Sequence, residues 1–365
     1  MDRRAWQAAG LYDPDAPGAA ERLALLEHLA GEGLTVEEMV EAADDGSLAT
    51  AFADKMLRGE RTLTATALAQ KTGVPVERVQ RLWLALGLPL NDALLPPEAA
   101  ELTALFVDAA RTFGEDAMLG FSRVMASAAA QVAEAAVAVF LGEVQPRLDE
   151  GHATELERAR ANENAIESFG FVRDVLGVLV REQAIVAVRR SRAARGQDPA
   201  APQELEEAVC FVDLVGSTAW AQHRSLRDQA VALARFETAA WEEAVRHDGR
   251  LVKLIGDEAM IIATSAVDAA AIAVAVCDRV KADDGLPAAR AAVGFGTVLF
   301  RDGDYFGPLV NVVARAVKAG APGEVVVTAA VRDVLCRSGA VAVGEVKEYH
   351  LRGIDEPVAV APLLR

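Results

Sequence analysis

A chain of 365 residues exceeds the usual length of one domain, so we expect at least two. A content of 52% hydrophobic and 25% charged residues is typical of a globular protein with sizeable cores and excludes a disordered or fibrous class. The net charge of −17 disfavours nonspecific attraction to nucleic acid or anionic lipid, and three well-separated cysteines favour reduced thiols over a disulfide framework.

Residues 1–150 carry apolar side chains at helical spacing and few β-branched runs, which predicts an all-α domain. The N-terminus leads into no apolar signal core, so we expect a cytoplasmic protein. The most apolar long stretch, 124–141, consists mostly of Ala and Val and is interrupted by Gln131 and Glu134. We interpret it as a buried helix and expect no membrane span, because a span needs about 20 strongly apolar residues.

Residues 63–82 have the pattern of a helix-turn-helix. A DNA-binding role would place Lys71, Arg78 and Arg81 on phosphates. Residues 1–200 contain 20 Lys and Arg against 31 Asp and Glu, however, and this net charge of −11 opposes approach to DNA. The sequence therefore favours a purely structural turn, and no nucleic-acid partner is expected.

Residues 152–190 predict one long helix, with arginines in its last turns where cations favour a helix C-terminus. His152 lies at its predicted start. Residues 196–202 contain two prolines that cannot continue a helix and predict a linker. The predicted boundaries are a helical domain at 1–150, a connecting helix and linker at 151–203, and a second domain at 204–365.

From residue 204 onward, strands alternate with helices. This pattern predicts an α+β domain whose helices cover an antiparallel or mixed sheet. The predicted strands are 208–212, the hairpin pair 250–255 and 259–262, 291–299, 325–327 and the tail 345–364, and the predicted helices are 226–247, 267–281 and 310–319.

Two carboxylates in the second half of the chain, Asp213 and Asp257, are candidate metal ligands. Asp213 ends a predicted strand and precedes Gly216 and Ser217, a tight turn that enters a helix. Such a turn presents backbone N–H groups to phosphate while the carboxylate holds Mg²⁺, although an ordinary helix cap has the same pattern. Asp257 lies at the tip of the predicted hairpin, where it would complete a metal site with Asp213; a common turn is the alternative.

A third segment, 304–315, becomes helical at Val310. Asn311 and Arg315 are four residues apart and project from one face of that helix. Two polar side chains on an otherwise apolar helix could contact a phosphate or a ribose. The alternative interpretation is that they lie on a helix face that is exposed to solvent.

Taken in this order and spacing, segments 211–218, 251–260 and 304–315 resemble the class III adenylyl and guanylyl cyclases over residues 205–364. The resemblance implies a ferredoxin-like palm and an adenylyl cyclase that converts ATP to 3′,5′-cyclic AMP and pyrophosphate. It also implies the following roles: Asp213 and Asp257 as ligands of two Mg²⁺ or Mn²⁺ ions, with the backbone carbonyl of Leu214; Lys253 and Asp304 as the purine-selecting pair; Asn311 and Arg315 as the transition-state pair.

In this family the palm domains pair head to tail, so the resemblance implies a homodimer with two equal sites built from both chains. The first half is similar to the N-terminal domain of some actinobacterial cyclases, where it restrains catalysis, in one group in response to acidity. The resemblance therefore implies that residues 1–150 are regulatory. Ser217 departs from the family pattern, in which Phe is frequent, and Arg352 has no assigned role.

Base selection follows from matching donors to acceptors. Adenine offers an amino donor at position 6 and an acceptor at N1, which suit Asp304 and Lys253, whereas guanine offers the opposite pattern. ATP is therefore expected over GTP. The alternatives are a guanylyl cyclase, and a DNA- or ligand-binding regulator whose cyclase-like half is inactive; all six catalytic side chains being present argues against the latter.

Overall fold

The computed structural model describes residues 3–88, 94–194, 203–339 and 341–364. The chain forms two compact units, Met1–Arg181 and Glu182–Arg365. The predicted linker 196–202 lies outside the described residues.

The first unit is all-α, as predicted. Its core gathers Trp6, Leu25, Leu29 and Met39 around the first helices, together with Ala159 of the long helix. The helices are α1 (Arg3–Ala8), α2 (Ala19–Gly31), α3 (Val36–Asp44), α4 (Ala51–Arg58), α5 (Ala65–Thr72), α6 (Val76–Ala85), α7 (Ala99–Phe113), α8 (Glu115–Val139), α9 (Gln145–Glu150) and α10 (Glu155–Ala193), of which the last continues into the second unit.

The predicted helix-turn-helix is formed by α5 and α6, joined at Gly73, whose φ of 70° lies in the left-handed region that glycine tolerates. Arg78 and Arg81 both pair with Glu115 of α8, at 2.8 and 3.1 Å. Two of the three cations considered for DNA are thus engaged within the unit, which supports a structural role.

The prediction that 124–141 is helical is confirmed, but the prediction that this helix is buried is wrong. The segment is helical, in α8 and the π-helical turn after it, but its apolar side chains such as Met125, Val137 and Leu141 are exposed. The continuous helix Glu115–Glu150 has the length and apolar composition of a helix that could cross a membrane. One such helix is weak evidence for a membrane span. Apolar content predicts the helix correctly, but it does not say what covers its surface.

The long helix α10 begins later than predicted. Thr154 caps it, since its hydroxyl accepts from the Glu157 backbone N–H at 3.3 Å while Glu157 accepts from the Thr154 backbone at 2.8 Å. His152 precedes this cap, exposed and with a φ of 51°. It therefore lies outside the helix.

The second unit is α+β, as predicted. Its sheet has the order β2-β3-β1-β4-β6-β9-β7, with β5 paired to β4 and β8 to β9. Among the described strands, β4 and β6 form the one parallel pair. The elements are β1 (Glu204–Leu214), α11 (Ser217–Ala221), α12 (Leu226–Arg246), β2 (Gly249–Ile255), β3 (Glu258–Ala263), α13 (Ala266–Lys281), β4 (Ala289–Arg301), β5 (Asp304–Phe306), α14 (Pro308–Ala316), β6 (Val325–Thr328), α15 (Ala329–Ser338), β7 (Ala342–Val343), β8 (Lys347–Tyr349) and β9 (Val358–Leu364).

Helices cover both faces of this sheet, so its central strand β1 is buried on both sides. Cys210 and Val212 pack with α12 and α13 on one face, whereas Val209 and Phe211 pack with α14 on the other. Gly294 of β4 lets α14 approach closely, because a Cβ there would overlap Val313. This contact places the helix that carries Asn311 and Arg315.

Candidate active site

The two predicted metal-binding aspartates lie together at one end of the sheet. Strands β1 and β3 pair in a register that sets Asp213 opposite Glu258. The β2–β3 hairpin turns at Gly256, where φ is 65°, so that Asp257 follows at its tip. The Leu214 backbone N–H donates to the Asp257 carbonyl at 3.2 Å, which joins the two segments directly.

Asp257 has a second partner that the sequence did not reveal. The Ser217 hydroxyl, at the start of α11, donates to the Asp257 carboxylate. The serine that departs from the usual family residue therefore contacts a predicted metal ligand through its side chain. The sequence predicted a role for the backbone of this turn and none for the serine side chain.

Arg290 of β4 is an unpredicted member of the site. Its Nε and Nη2 lie 2.9 and 2.7 Å from Asp213 Oδ2, and its Nη1 donates to the Lys318 carbonyl at 3.3 Å. The β1–β4 register sets Arg290 directly opposite Asp213. No local motif signals this contact, because it depends on how two strands distant in sequence align.

Glu258 adds a third carboxylate beside the aspartates. Its Oε1 is buried and has no hydrogen-bond partner among the described residues. Burial, followed by the negative charge of Asp213, raises the pKa of Glu258 to about 7; Asp257 acts in the same direction, while Lys318 and Arg290 oppose it. Three carboxylates therefore lie close together here, and Arg290 and Lys318 offset part of their charge.

The donor set fits Mg²⁺ or Mn²⁺ bound together with a nucleotide. The parts of the chain that the structure describes contain no group of three or more His, Cys, Asp or Glu side chains arranged to hold a metal alone. Mg²⁺ is commonly bound by one or two carboxylates, with substrate phosphates supplying further oxygens. Asp213 and Asp257 match that pattern, whereas a dedicated all-protein cage would need more ligands.

The predicted purine-selecting pair is also brought together. Lys253 of β2 donates to Asp304 Oδ2 at the start of β5, and the Tyr305 backbone N–H donates to Asp304 Oδ1 at 2.8 Å. The Lys253 side chain is 39% exposed and that of Asp304 28%, so solvent or a ligand can reach both. Asp304 is positioned by pairing of β5 with the end of β4, opposite Arg301.

Asn311 and Arg315 lie on α14 as predicted. Arg315 Nη1 donates to the Asn311 backbone carbonyl at 3.3 Å. Gly353 lies beside this guanidinium, since a Cβ there would be 3.6 Å from Arg315 Nη2, which brings the segment containing the exposed Arg352 near Arg315. Among the described residues, no hydrogen bond or ion pair joins the aspartates, the Lys253–Asp304 pair and the α14 pair to one another.

The chain is similar to a described protein family and to several known proteins. The family described as the adenylate cyclase regulatory domain matches residues 7–191. An uncharacterised protein of Mycobacterium tuberculosis is 32% identical over 98% of this chain and 93% of its own length. An adenylate cyclase of Streptomyces coelicolor is 28% identical over 83% of this chain and 80% of its own length. A pH-sensitive adenylate cyclase of M. tuberculosis is 28% identical over 89% of this chain and 82% of its own length.

Among solved structures, the adenylyl cyclase CyaB of Pseudomonas aeruginosa is 18% identical, with a TM-score of 0.40 over 45% of this chain and 95% of its own. The regulatory-domain match covers half of the chain, and the 32% identical relative extends over nearly all of it. The chain therefore belongs to the family of adenylate cyclases that carry this regulatory domain.

Proposed function

We propose that the protein converts ATP to 3′,5′-cyclic AMP and pyrophosphate at sites shared by two copies of the chain. The observation that carries this proposal is the placement of Asp213 and Asp257 side by side at the end of the sheet. Lys253 with Asp304, and Asn311 with Arg315, form two further polar groups on the same unit. The direct test is cyclic AMP formation by the purified full chain with ATP and Mg²⁺ or Mn²⁺, with a variant lacking Asp213 as the blank.

In the reaction, the ribose 3′-oxygen attacks the α-phosphorus in line with the bond to the oxygen that bridges the α- and β-phosphates; that bond breaks, pyrophosphate leaves, and the 3′-hydroxyl proton passes to solvent. Mg²⁺ or Mn²⁺ bound by these residues would lower the pKa of the 3′-hydroxyl and offset negative charge on the phosphates. Asp213 and Asp257 provide hard carboxylate oxygens to hold it. Arg315 stabilises the charge that develops on the α-phosphate, and Asn311 orients the ribose.

A shared site explains why the three groups do not contact one another within the chain. Large apolar side chains are exposed near the Lys253–Asp304 pair, namely Ile255, Leu299 and Phe306. Covering such side chains against a second copy is favourable because it removes apolar area from water. We therefore propose a homodimer in which one chain supplies the aspartates and the other supplies Lys253, Asp304 and Arg315.

The Lys253–Asp304 pair selects ATP. In the double variant Lys253→Glu with Asp304→Cys, the donors and acceptors no longer match adenine, and an unpaired buried polar group costs about 1–3 kcal/mol. Turnover of ATP should therefore fall roughly 5- to 150-fold relative to GTP, a conversion at about 1.4 kcal/mol per tenfold. The measurement is kcat/KM for both nucleotides, with Lys281→Gln, at an exposed position, as the charge-matched control. An unchanged ATP preference in the double variant would remove the pair from base selection.

The first unit is proposed to inhibit the second, in a manner that depends on pH. Two contacts join α2 to α10: Arg22 pairs with Glu155 at 2.7 Å, and His28 Nε2 lies 2.8 and 3.0 Å from the two Glu163 oxygens. A neutral imidazole donates one hydrogen bond to this carboxylate, whereas an imidazolium forms an ion pair with it. The His28–Glu163 contact is therefore where we propose that pH acts on the attachment of α2 to α10; the exposed His152, in the part of the chain that the structure describes, is hydrogen-bonded to the Glu150 carbonyl instead.

Replacing His28 should alter the pH profile of activity. We expect His28→Gln, which keeps one amide donor but cannot be charged, to flatten the difference in cyclase activity between pH 5.5 and 8 by a factor of about two to five. His152→Gln is the matched control and should retain the wild-type profile. Superimposable profiles for all three proteins would show that His28 does not contribute to pH response.

A further inference from the structure

Asp213 lies between an acidic and a basic neighbour in the sheet. The β1–β3 register sets Glu258 opposite it on one side, and the β1–β4 register sets Arg290 opposite it on the other. Side chains of directly opposite residues project from the same face of a sheet, so these three form one row across the strands. A predicted metal ligand is thus flanked by a carboxylate and a guanidinium.

The contact between Arg290 and Asp213 occupies one carboxylate oxygen. Nε and Nη2 of Arg290 lie 2.9 and 2.7 Å from Asp213 Oδ2. The described residues form no hydrogen bond to the other oxygen, Oδ1. Hydrogen bonds to one oxygen of a carboxylate fix the direction in which the other points, and such partners orient metal ligands in proteins. Arg290 therefore holds the carboxylate still and leaves Oδ1 for a cation.

Arg290 is itself fixed from a second direction. Its Nη1 donates to the Lys318 carbonyl at 3.3 Å, in the 3-10 turn Val317–Ala319 that follows α14. The side chains of Asp213 and Arg290 are only 11% and 19% exposed. Water and salt screen charges weakly at such exposure, and a guanidinium keeps its proton in proteins. The positive charge beside Asp213 is therefore permanent and effective.

The backbone that carries Asp213 is held on both sides as well. The Leu214 N–H donates to the Asp257 carbonyl at 3.2 Å, and the Val215 N–H donates to the Ala288 carbonyl at 2.7 Å. These hydrogen bonds hold the end of β1 between the β2–β3 hairpin and the residues before β4. The contact of Arg290 with Asp213 is thus built into the folded sheet.

A fixed positive charge on Asp213 has a consequence for metal binding. The guanidinium repels a divalent cation on the same carboxylate, and this repulsion lowers the affinity of the protein for a free ion. Mg²⁺ or Mn²⁺ that binds together with a nucleotide gains further oxygens from the phosphates. Those oxygens add affinity that the protein side chains alone do not provide.

We propose that Arg290 is a positioning residue that fixes the Asp213 carboxylate for a metal ion and, through its charge, keeps the protein from holding that ion before a nucleotide is bound. This inference rests on the proposed role of Asp213 as a metal ligand. It deepens the proposed function, because it makes occupation of the metal site depend on the phosphates of the substrate.

The test measures Mn²⁺ binding to the full chain by electron paramagnetic resonance, without nucleotide. We expect Arg290→Gln to lower the Kd for Mn²⁺ on the order of tenfold, because the repulsion is removed. Arg290→Lys keeps a cation and should stay nearer to the wild-type value. Arg337→Gln, at an exposed position on α15, removes the same charge elsewhere and is the matched control. Asp213→Ala is the blank for Mn²⁺ held at surface carboxylates.

A purely structural ion pair predicts a different pattern. Arg290→Gln would then melt at a lower temperature and bind Mn²⁺ no more tightly than wild type, and this result would overturn the proposal. An equal gain in affinity in Arg337→Gln would also overturn it. Should Arg290→Gln fail to fold, Arg290→Met is a second neutral variant. A wild type that binds Mn²⁺ as tightly alone as with 3′-deoxy-ATP, an analogue that has no 3′-hydroxyl, would contradict the proposal without any variant.

The double variant Asp213→Ala with Arg290→Gln shows whether the effect acts through Asp213. It should bind Mn²⁺ no more tightly than Asp213→Ala alone, and a remaining gain in affinity would refute the role given to Arg290. If the wild type forms no cyclic AMP, the proposed function fails. The Mn²⁺ titrations need no turnover and still decide the role of Arg290.

Discussion

Asp213→Ala and Asp257→Ala should each lower cyclic AMP formation by at least roughly a thousandfold, because several kcal/mol of transition-state stabilisation depend on the ions that these carboxylates hold. The assay uses the full chain with saturating ATP, in Mg²⁺ and separately in Mn²⁺. Asp284→Ala, which removes an exposed loop carboxylate, serves as the control and should keep wild-type activity. Near-normal activity of either site variant with either ion would refute the metal assignment.

The same two variants should differ in stability. Asp213→Ala leaves Arg290, whose side chain is 19% exposed, without its carboxylate partner, whereas the Asp257 carboxylate accepts from the Ser217 hydroxyl and from no other side chain among the described residues. An unpaired buried polar group costs about 1–3 kcal/mol, so Asp213→Ala should unfold at a lower temperature than Asp257→Ala. Circular dichroism melting distinguishes this loss of stability from loss of a ligand, and the double variant Asp213→Ala with Arg290→Leu should recover part of it.

Mixing inactive Asp213→Ala with inactive Arg315→Ala should restore activity to about a quarter of the wild-type value. Random pairing of a symmetric dimer makes half of the dimers mixed, and each mixed dimer has one of its two sites intact. Separate affinity tags on the two variants allow the mixed dimers to be isolated, and activity per mixed dimer should then be about half that of wild type.

The control for this experiment is a mixture of Asp213→Ala with Asp257→Ala. Both residues belong to the same half of the proposed site, so every dimer in that mixture lacks a ligand in each site and no activity should return. Isolated mixed dimers of Asp213→Ala and Arg315→Ala that remain inactive would contradict the shared site, as would a wild-type enzyme that is fully active as a monomer.

The local elements of the second unit were predictable because short-range patterns determine them. Short runs rich in apolar residues located β1, β2 and β3, and the Gly256-Asp257 turn between two strands predicted the hairpin that carries Asp257. Helical periodicity likewise predicted α12 and α14, and hence the common face of Asn311 and Arg315. The predicted start of α10 was three residues too early, because the helical pattern in the sequence extends back to His152 whereas the Thr154 cap begins the helix at Glu155.

The amino-acid sequence by itself determined the secondary-structure class of each half of this protein, all-α followed by α+β. It also contained the three segments that resemble nucleotide cyclases, in the same order along the chain. Only the tertiary structure decided which side chains meet across strands. Arg290 reaches Asp213 through the β1–β4 register, and Lys253 of β2 reaches Asp304 of β5. It also showed that the apolar surface of α8 is exposed, against expectation. The physical reason is the same in each case. The spacing of apolar residues along a helix or strand can be identified from residues close together in the sequence, whereas cross-strand contacts and the burial of a helix face depend on packing between distant segments.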